Sequence, residues 1–495
     1  MNDNSLKSNS TDVARVLPKR RQLYAGGSWI EPLGGDCDTW NPATGESLGL
    51  CAEANAADVN IIVERAQQGY LTWRKVKPLE RAGLLRKIAQ VLRENAEELA
   101  LIDSANCGNP VKELAGDALA AAAQIDYFAG LVTEIKGETI PMGDGVVNLT
   151  TREPLGVCAR IVAYNHPLMF VAGKLAPVVA AGNSAVMKAP SQAPLSTYRF
   201  MELIDGILPP GVLNIVTGGA VAGKALVNHP LVQHVALIGS VSTGRSIARA
   251  AADQLKKVSL ELGGKNACII FPDADIEAAI RGAVKGMNFG WCGQSCGSTS
   301  RLFVHESIYD QVVEGVLEQV QNFRPGIPTE MSTTMGSLVS KEQFDKVLNY
   351  IEIAKLDGCR LLYGGAPPTD SALAKGFFIE PTIFDGVTHD MKIAREEVFG
   401  PILSILKWSD IHEMLEQVNG VEYGLTCSIW TSNLSNAHLT ASHVQAGYIW
   451  VNNVSQHFIG APFGGYKMSG IGREESIEEL INYTQVKNIN ITLSP

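Results

Sequence analysis

Between about residues 155 and 271, short apolar runs alternate with helix-forming segments, and this alternation constrains the fold more than any other feature of the chain. "GVCARIVAY", "SAVMKAP", "LNIVTGG" and "VQHVALIGS" have the length and residue types of buried strands. "LMFVAGKLAPVVAAG", "LSTYRFMELIDGI", "GKALVNHP" and "TGRSIARAAADQL" between them read as helices, and "NACIIF" (266–271) closes the run. Strands joined through a helical crossover pair in parallel, so the expectation is an α/β fold with a mostly parallel sheet. A second α/β block, roughly 272–465, carries its own helices ("IYDQVVEGVLEQV", "KEQFDKVLNYIEIAKL") and strands ("SRLFVH", "LSILKW"). A chain of 495 residues exceeds what one hydrophobic core usually supports, which also points to two or three domains.

Outside these blocks, residues 78–108 read as one long amphipathic helix with a glycine stop, and 115–133 as an alanine-rich helix. Residues 1–21 lack the apolar stretch of a secretory signal and read as a flexible extension. The longest apolar stretch, near 161–187, is interrupted by Asn165, His166 and Lys174, so no membrane span is expected. The β-branched tail "TQVKNINITL" reads as a terminal strand that needs a neighbouring edge, which another subunit can supply. A net charge of −10 argues against nucleic acid as a partner. Nine scattered cysteines without a CxxC suit a reducing cytoplasm rather than a disulfide framework or a zinc ribbon.

Two glycine loops follow strands and open helices, a placement that aims backbone N–H groups and the helix dipole at an anion. "GGAVAGKA" (218–225) nearly matches a phosphate-binding P-loop, but Ala225 replaces the hydroxyl that would hold Mg²⁺. "GSVSTGRS" (239–246) has Arg245 where the lysine belongs. Neither is a nucleoside-triphosphatase loop, and no GxGxxG opens a βαβ unit. Ordinary strand-to-helix turns explain both loops equally well.

"NFGWCGQSCGSTSR" (288–301) places Cys292 and Cys296 in small, open surroundings. A nucleophilic cysteine needs such space and a base, whereas a lone buried cysteine more often only packs. Metal ligation would need further ligands, and no Cys/His cluster supplies them, so no metal is expected. Glu261, among apolar residues and before two glycines, suits a general base with a raised pKa, or a salt-bridged glutamate. Asn165, at a strand end before a proline-led helix, suits an oxyanion donor, or a turn residue.

These pieces occur in one order with "YAGGSWIEP", "LELGGKN", "GQSC", "REEVFGPI", "YGLTCSIWT" and "APFGGYKMSGIGREES", and over about residues 22–490 the chain resembles the NAD(P)-dependent aldehyde dehydrogenase superfamily. The resemblance implies a variant Rossmann cofactor domain (22–130 and 152–262), a catalytic α/β domain (263–466) and a small β oligomerisation element (131–151 and 478–495). It implies that Cys296 attacks an aldehyde to give a thiohemiacetal whose oxyanion is held by Asn165 and the Cys296 backbone N–H. Hydride transfer to the nicotinamide then leaves a thioester, which water activated by Glu261 hydrolyses to the acid. Glu261 marks the hydrolytic branch, not the branch that passes the acyl group to coenzyme A. Cys292 then only packs, with a reversible Cys292–Cys296 disulfide as the remaining alternative.

For the cofactor, the resemblance assigns Lys188 to the adenosine ribose, Ser240 and its neighbour Gly239 to the pyrophosphate, and Glu397 and Phe399 to the nicotinamide half. Gly219 and Tyr164 complete that set. Ser191 stands where NAD-preferring members often have a glutamate, so both NAD⁺ and NADP⁺ are expected to serve. The usual "PWNFP" is "AYNHP" here, which puts His166 beside the amide. Phe170, Gly173, Trp291, His457 and Phe463 are the expected substrate pocket, widened by Gly173 and Gly290. The expected substrate is a bulky or aromatic aldehyde, and a carboxylate on it would be one for His166 or His457 to contact. An aliphatic semialdehyde of the succinate-semialdehyde type is the alternative within the family, and an arginine in the pocket would favour it. A non-catalytic homologue or a cofactor-free cysteine hydrolase are the alternatives outside it. The resemblance also implies a homodimer or homotetramer.

Overall fold

The computed structural model describes residues 13–493, and its first sheet is built from the alternating segment. Leu213–Val216, Ser184–Lys188, Val157–Ile161, Val232–Gly239 and Lys257–Leu262 lie side by side in that order and run parallel. Ser184–Lys188 and Leu213–Val216 are buried at every position, as are the first four residues of Val157–Ile161. Helices cover both faces of such strands, which is why they read as continuous apolar runs. From Val157–Ile161 the chain steps outward twice, then returns to that strand's other side with Val232–Gly239. This reversal opens a crevice at the carboxyl ends of those two strands, where open α/β sheets take their ligands. Short antiparallel strands close the edges, Leu23–Ala25 and Ser28–Ile30 on one side and Gly470–Ile471 on the other.

The second sheet runs Arg360–Tyr363, Thr382–Asp385, Ile402–Trp408, Arg301–His305, Ala267–Ile270, Thr426–Trp430, Tyr448–Val451. All its pairs are parallel except the first. "NACIIF" therefore does not close the first sheet; it supplies an interior strand of the second. The parallel run ends on Lys257–Leu262, and Glu261 lies inside that strand rather than ahead of one. A charged residue in a buried strand hid it from a reading based on apolar continuity. Gly263–Asn266 then forms the link between the two sheets.

Thr484–Thr492 pairs antiparallel with Val146–Pro154 of the same chain, and Thr139–Ile140 adds a third strand. The tail thus finds one edge within its own chain and presents its other edge outward. Residues 78–108 form two helices, Pro78–Glu94 and Ala96–Cys107, instead of one. Asn95 breaks them: its backbone leaves the helical region and its side-chain amide donates to the Val91 carbonyl at 2.8 Å. Short polar side chains offer the backbone this alternative to helix propagation. Residues 13–21 are not a free extension. Val13 is buried with Ala100, Leu101 and Ala105, and the N–H groups of Lys19 and Arg20 donate to Glu202 at 2.7 and 2.6 Å. The remainder of that expected extension, residues 1–12, lies outside the described residues.

Candidate active site

Asn165 lies in the turn between Val157–Ile161 and the helix Pro167–Ala180. Proline suits the first helical position because the N–H it lacks would have no partner there. The Asn165 carbonyl accepts from the buried side chain of Asn109 at 2.7 Å, and its own Oδ1 has no partner. Glu261 reaches the same crevice from the penultimate position of its strand, buried and with Oε1 unpaired.

Cys296 comes from the other side, on the loop between helix Ile276–Gly286 and strand Arg301–His305. The loop folds tightly through Cys292 and Gly293, both at positive φ, and a Cβ on Gly293 would fall 2.2 Å from the Gly400 carbonyl. Asn266 then fixes its end, donating Nδ2 to the carbonyls of Cys296 (2.7 Å) and Ser298 (3.0 Å). This sets the Cys296 thiol within hydrogen-bonding reach of the Glu261 carboxyl. Burial, with the Glu261 charge adding to it, pushes the thiol well above its ordinary pKa. Burial also pushes Glu261 well above the carboxylate range, helped by the nearby Glu474. A carboxyl raised in this way can serve as a proton acceptor nearer neutral pH. Cys292 is sealed in the core, its Sγ donating to the Gly336 carbonyl at 3.5 Å.

Asn165, Glu261 and Cys296 line one cavity of about 230 Å³ together with Tyr164, Gly239, Ser240, Glu397 and Phe399. Ser240 caps the helix Val241–Ala252, accepting from Thr243 N–H at 3.3 Å, so a helix N-terminus opens beside the cavity. Glu397 is held by the Gly264 N–H at 3.1 Å, and a Cβ on Gly263 would fall 2.0 Å from its carboxylate oxygen. The paired glycines of "LELGGKN" thus make room for this carboxylate. Phe399 sits at positive φ, its ring edge-on to Tyr164 at 5.9 Å. Gln343 donates to the Val398 and Phe399 carbonyls at 3.0 and 2.7 Å.

Lys188, Ser191 and Gly219 lie outside that cavity. Lys188 ends its strand beside Gly223, where a Cβ would stand 3.7 Å from its Cε. Burial lowers its ammonium to about 8 although Glu53 opposes this. The Gly219 N–H donates to Glu53 at 2.8 Å, so the first glycine loop already holds a carboxylate of the chain itself. Ser191 is exposed, with its hydroxyl on Gln192 at 3.2 Å. A crevice with a helix N-terminus capped by Ser240, the Glu397 carboxylate and, further out, a lysine fits an extended dinucleotide. Among the described residues, no group of three or more His, Cys, Asp or Glu is placed to hold a metal.

None of Phe170, Gly173, Trp291, His457 and Phe463 lines the cavity. They fall into two aromatic groups, His166 with Phe170 and Trp291, and His457 with Tyr448 and Phe463. Gly173 does not widen a pocket. A Cβ there would meet Gln124 Oε1 at 2.4 Å, so the glycine admits a side chain of the facing helix Asp117–Gly130. At Gly290 a Cβ would make ordinary contacts, to the Thr334 carbonyl at 3.6 Å and the Glu113 side chain at 3.7 Å. Sequence reasoning missed Asn109, Asn266, Gln343 and Lys346, the last of which also lines the cavity. Only Asn266 left a trace, as the last residue of a motif already singled out.

A model of the aldehyde dehydrogenase family matches residues 29–489. The aldehyde dehydrogenase tropH of Talaromyces stipitatus is 50% identical over 493 residues, covering 98% of this chain and 96% of that protein. An aldehyde dehydrogenase of Bacillus cereus, solved as its NAD⁺ complex, superposes with a TM-score of 0.94 at 37% identity, covering 99% of both chains. The indole-3-acetaldehyde dehydrogenase AldA of P. syringae, solved with NAD⁺ and IAA, gives 0.94 at 36% identity, covering 98% of this chain and 99% of its own.

Proposed function

This chain belongs to the aldehyde dehydrogenase family, and we propose that Cys296 is its nucleophile, Glu261 its general base and Asn165 its oxyanion donor. The reaction class is NAD(P)-dependent oxidation of an aldehyde. In the proposed sequence the Cys296 thiol releases its proton to solvent as its sulfur bonds to the aldehyde carbon, and the carbonyl oxygen takes up negative charge. The Asn165 amide and the Cys296 backbone N–H stabilise that charge as it develops. The bound nicotinamide supplies the hydride acceptor. Glu261 then takes a proton from the water that cleaves the acyl–Cys296 thioester, releasing the acid and the thiol.

One observation supports this reading above the rest. Three side chains from three separate segments converge on a cavity that also carries Ser240, Glu397 and Phe399. The test is a panel of aldehydes assayed with NAD⁺ and NADP⁺ separately, following reduced nicotinamide, alongside Cys296→Ala. Full activity in that variant would sink the mechanism.

Both cofactors serve in this reading, because Ser191 brings no charge to repel a 2′-phosphate while its hydroxyl can still meet a ribose. Lys188, Gly219 and Tyr164 belong to the same binding set. The substrate is a bulky or aromatic aldehyde. The aromatic group that begins at His166, next to Asn165, supports this, as does the relative from P. syringae named for an indole aldehyde. The enzyme assembles as a homodimer or homotetramer through the outward edge of Thr484–Thr492. No helix among the described residues is long and apolar enough to cross a membrane.

A further inference from the structure

His166 follows Asn165 directly, and its Nδ1 lies 2.9 Å from Asp117 Oδ2. Both side chains are more than nine-tenths buried. The imidazole also stands edge-on to Trp291, with ring centroids 4.6 Å apart, and to Phe170 at 5.5 Å. A phenylalanine would fill this position with less penalty, since a buried ion pair gives little net stability once desolvation is counted. The pair therefore calls for another reason to be there.

With Nδ1 committed to Asp117, Nε2 is the ring's remaining polar atom. It has no partner among the described residues, yet it is not sealed from solvent. Burial opposes a charge on the ring, but Asp117, with Asp103 adding to it, outweighs burial and raises His166 above its ordinary pKa. Asp103 is itself pushed up to about 7 by burial, and its Oδ2 accepts from the Leu168 N–H at 3.1 Å. Glu113 approaches from the side of Gly290. With Asp117 bonded to it and Asp103 adding its charge, the ring is a proton donor fixed one residue from Asn165.

We infer that His166, oriented by Asp117, selects the substrate: its Nε2–H donates to an ionised oxygen, carboxylate or phenolate, carried by an aromatic aldehyde whose ring rests against Phe170 and Trp291. This rests on the reading of Cys296 and Asn165 given above. Asp117 is a positioning residue here; it acts through the imidazole.

The experiment compares kcat/KM for benzaldehyde, 3-carboxybenzaldehyde and 3-hydroxybenzaldehyde, with saturating NAD⁺, in the wild-type enzyme, His166→Phe, His166→Gln and Asp117→Asn. The expected result is a wild-type preference for at least one oxygen-bearing aldehyde over benzaldehyde. In His166→Phe that ratio falls about tenfold or more, carried mainly by KM, as loss of a charge-assisted hydrogen bond requires. Preference for the carboxylate but not the phenol identifies a carboxylate ligand, and the reverse a phenolate. In Asp117→Asn the preference disappears at lower pH than in the wild type, because the imidazolium has lost its counter-charge. A ratio unchanged within about twofold in both His166 variants overturns the proposal, as does an equal loss on all three substrates. A wild-type enzyme that turns over none of the three, but does oxidise aliphatic aldehydes, overturns the aromatic reading instead and leaves the roles of Cys296 and Asn165 standing.

Discussion

Asn266 donates to the Cys296 carbonyl at 2.7 Å from the far end of the link that follows the strand of Glu261, so one short segment ties together the two side chains proposed to react. The same amide donates to the Ser298 carbonyl at 3.0 Å and accepts from the Thr426 N–H at 3.0 Å. Asn266→Ala takes the partner from the Cys296 carbonyl and the Thr426 N–H, while the Ser298 carbonyl keeps the Ser300 N–H at 2.9 Å, a loss of about 1–3 kcal/mol in stability. It also frees the nucleophile's loop, so kcat falls at least about tenfold. Thermal unfolding and steady-state kinetics on one preparation check both effects.

Glu261→Gln keeps the shape of the side chain and removes the base. Steady-state turnover falls by about 10² to 10⁴. The acyl–Cys296 thioester then accumulates, and intact-protein mass spectrometry after rapid quenching detects it as a covalent adduct absent from Cys296→Ala.

The raised pKa of Glu261 makes activity and stability respond oppositely to pH. Activity needs the ionised carboxylate, so kcat rises with pH above the ordinary carboxylate range. The folded state holds the proton on Glu261 after the unfolded chain has released it. This stabilisation is complete below the unfolded pKa and is lost as pH rises through the folded one. Glu261→Gln, fixed in the neutral form, should gain thermal stability over the wild type at pH 8.5 and much less at pH 5. Melting curves at the two values decide this.

Glu474 anchors the C-terminal segment to the first sheet. It pairs with Arg160 and, at 2.9 Å, with Lys174, while Arg160 also reaches Glu479 at 3.2 Å and Tyr483 at 2.7 Å. Burial would raise the Glu474 carboxyl, but Arg160 and Lys174 hold it down to about 2. Glu474→Gln leaves the buried Arg160 and Lys174 to share the Glu479 carboxylate and costs about 3–5 kcal/mol, measurable by denaturant unfolding. In the wild type the same stabilisation, present above the unfolded pKa, drains away as pH falls towards about 2.

Gly263→Ala places a Cβ where the Glu397 carboxylate now lies, 2.0 Å from its oxygen. The carboxylate must then leave the Gly264 N–H that holds it. The KM for NAD⁺ rises severalfold while thermal stability changes by less than about 1 kcal/mol, because the atom displaced is the end of a side chain.

Sequence and structure divide along a physical line. Strand and helix signals are local, carried by apolar continuity and by caps and breaks, so the parallel α/β class and most elements were legible residue by residue. Lys257–Leu262 escaped because Glu261 interrupts its apolar run. The long helix was overextended because the hydrogen bond from Asn95 to Val91 lies below the resolution of a periodicity argument. Gly173 shows a different limit of sequence. A glycine's missing volume has no owner in the sequence, and here Gln124 of a facing helix takes it.

By itself the sequence determined the class of fold, the family and the set of residues capable of the chemistry, since each of these follows from residue type in a local pattern. Only the tertiary structure decided which of those residues meet. Cys296 faces Glu261 because the loop of one sheet is clamped by Asn266 against the strand end of another. His166 became more than a turn residue only when Asp117, from a separate helix, came to lie 2.9 Å away. Such contacts arise from packing between distant segments, and no local pattern encodes them.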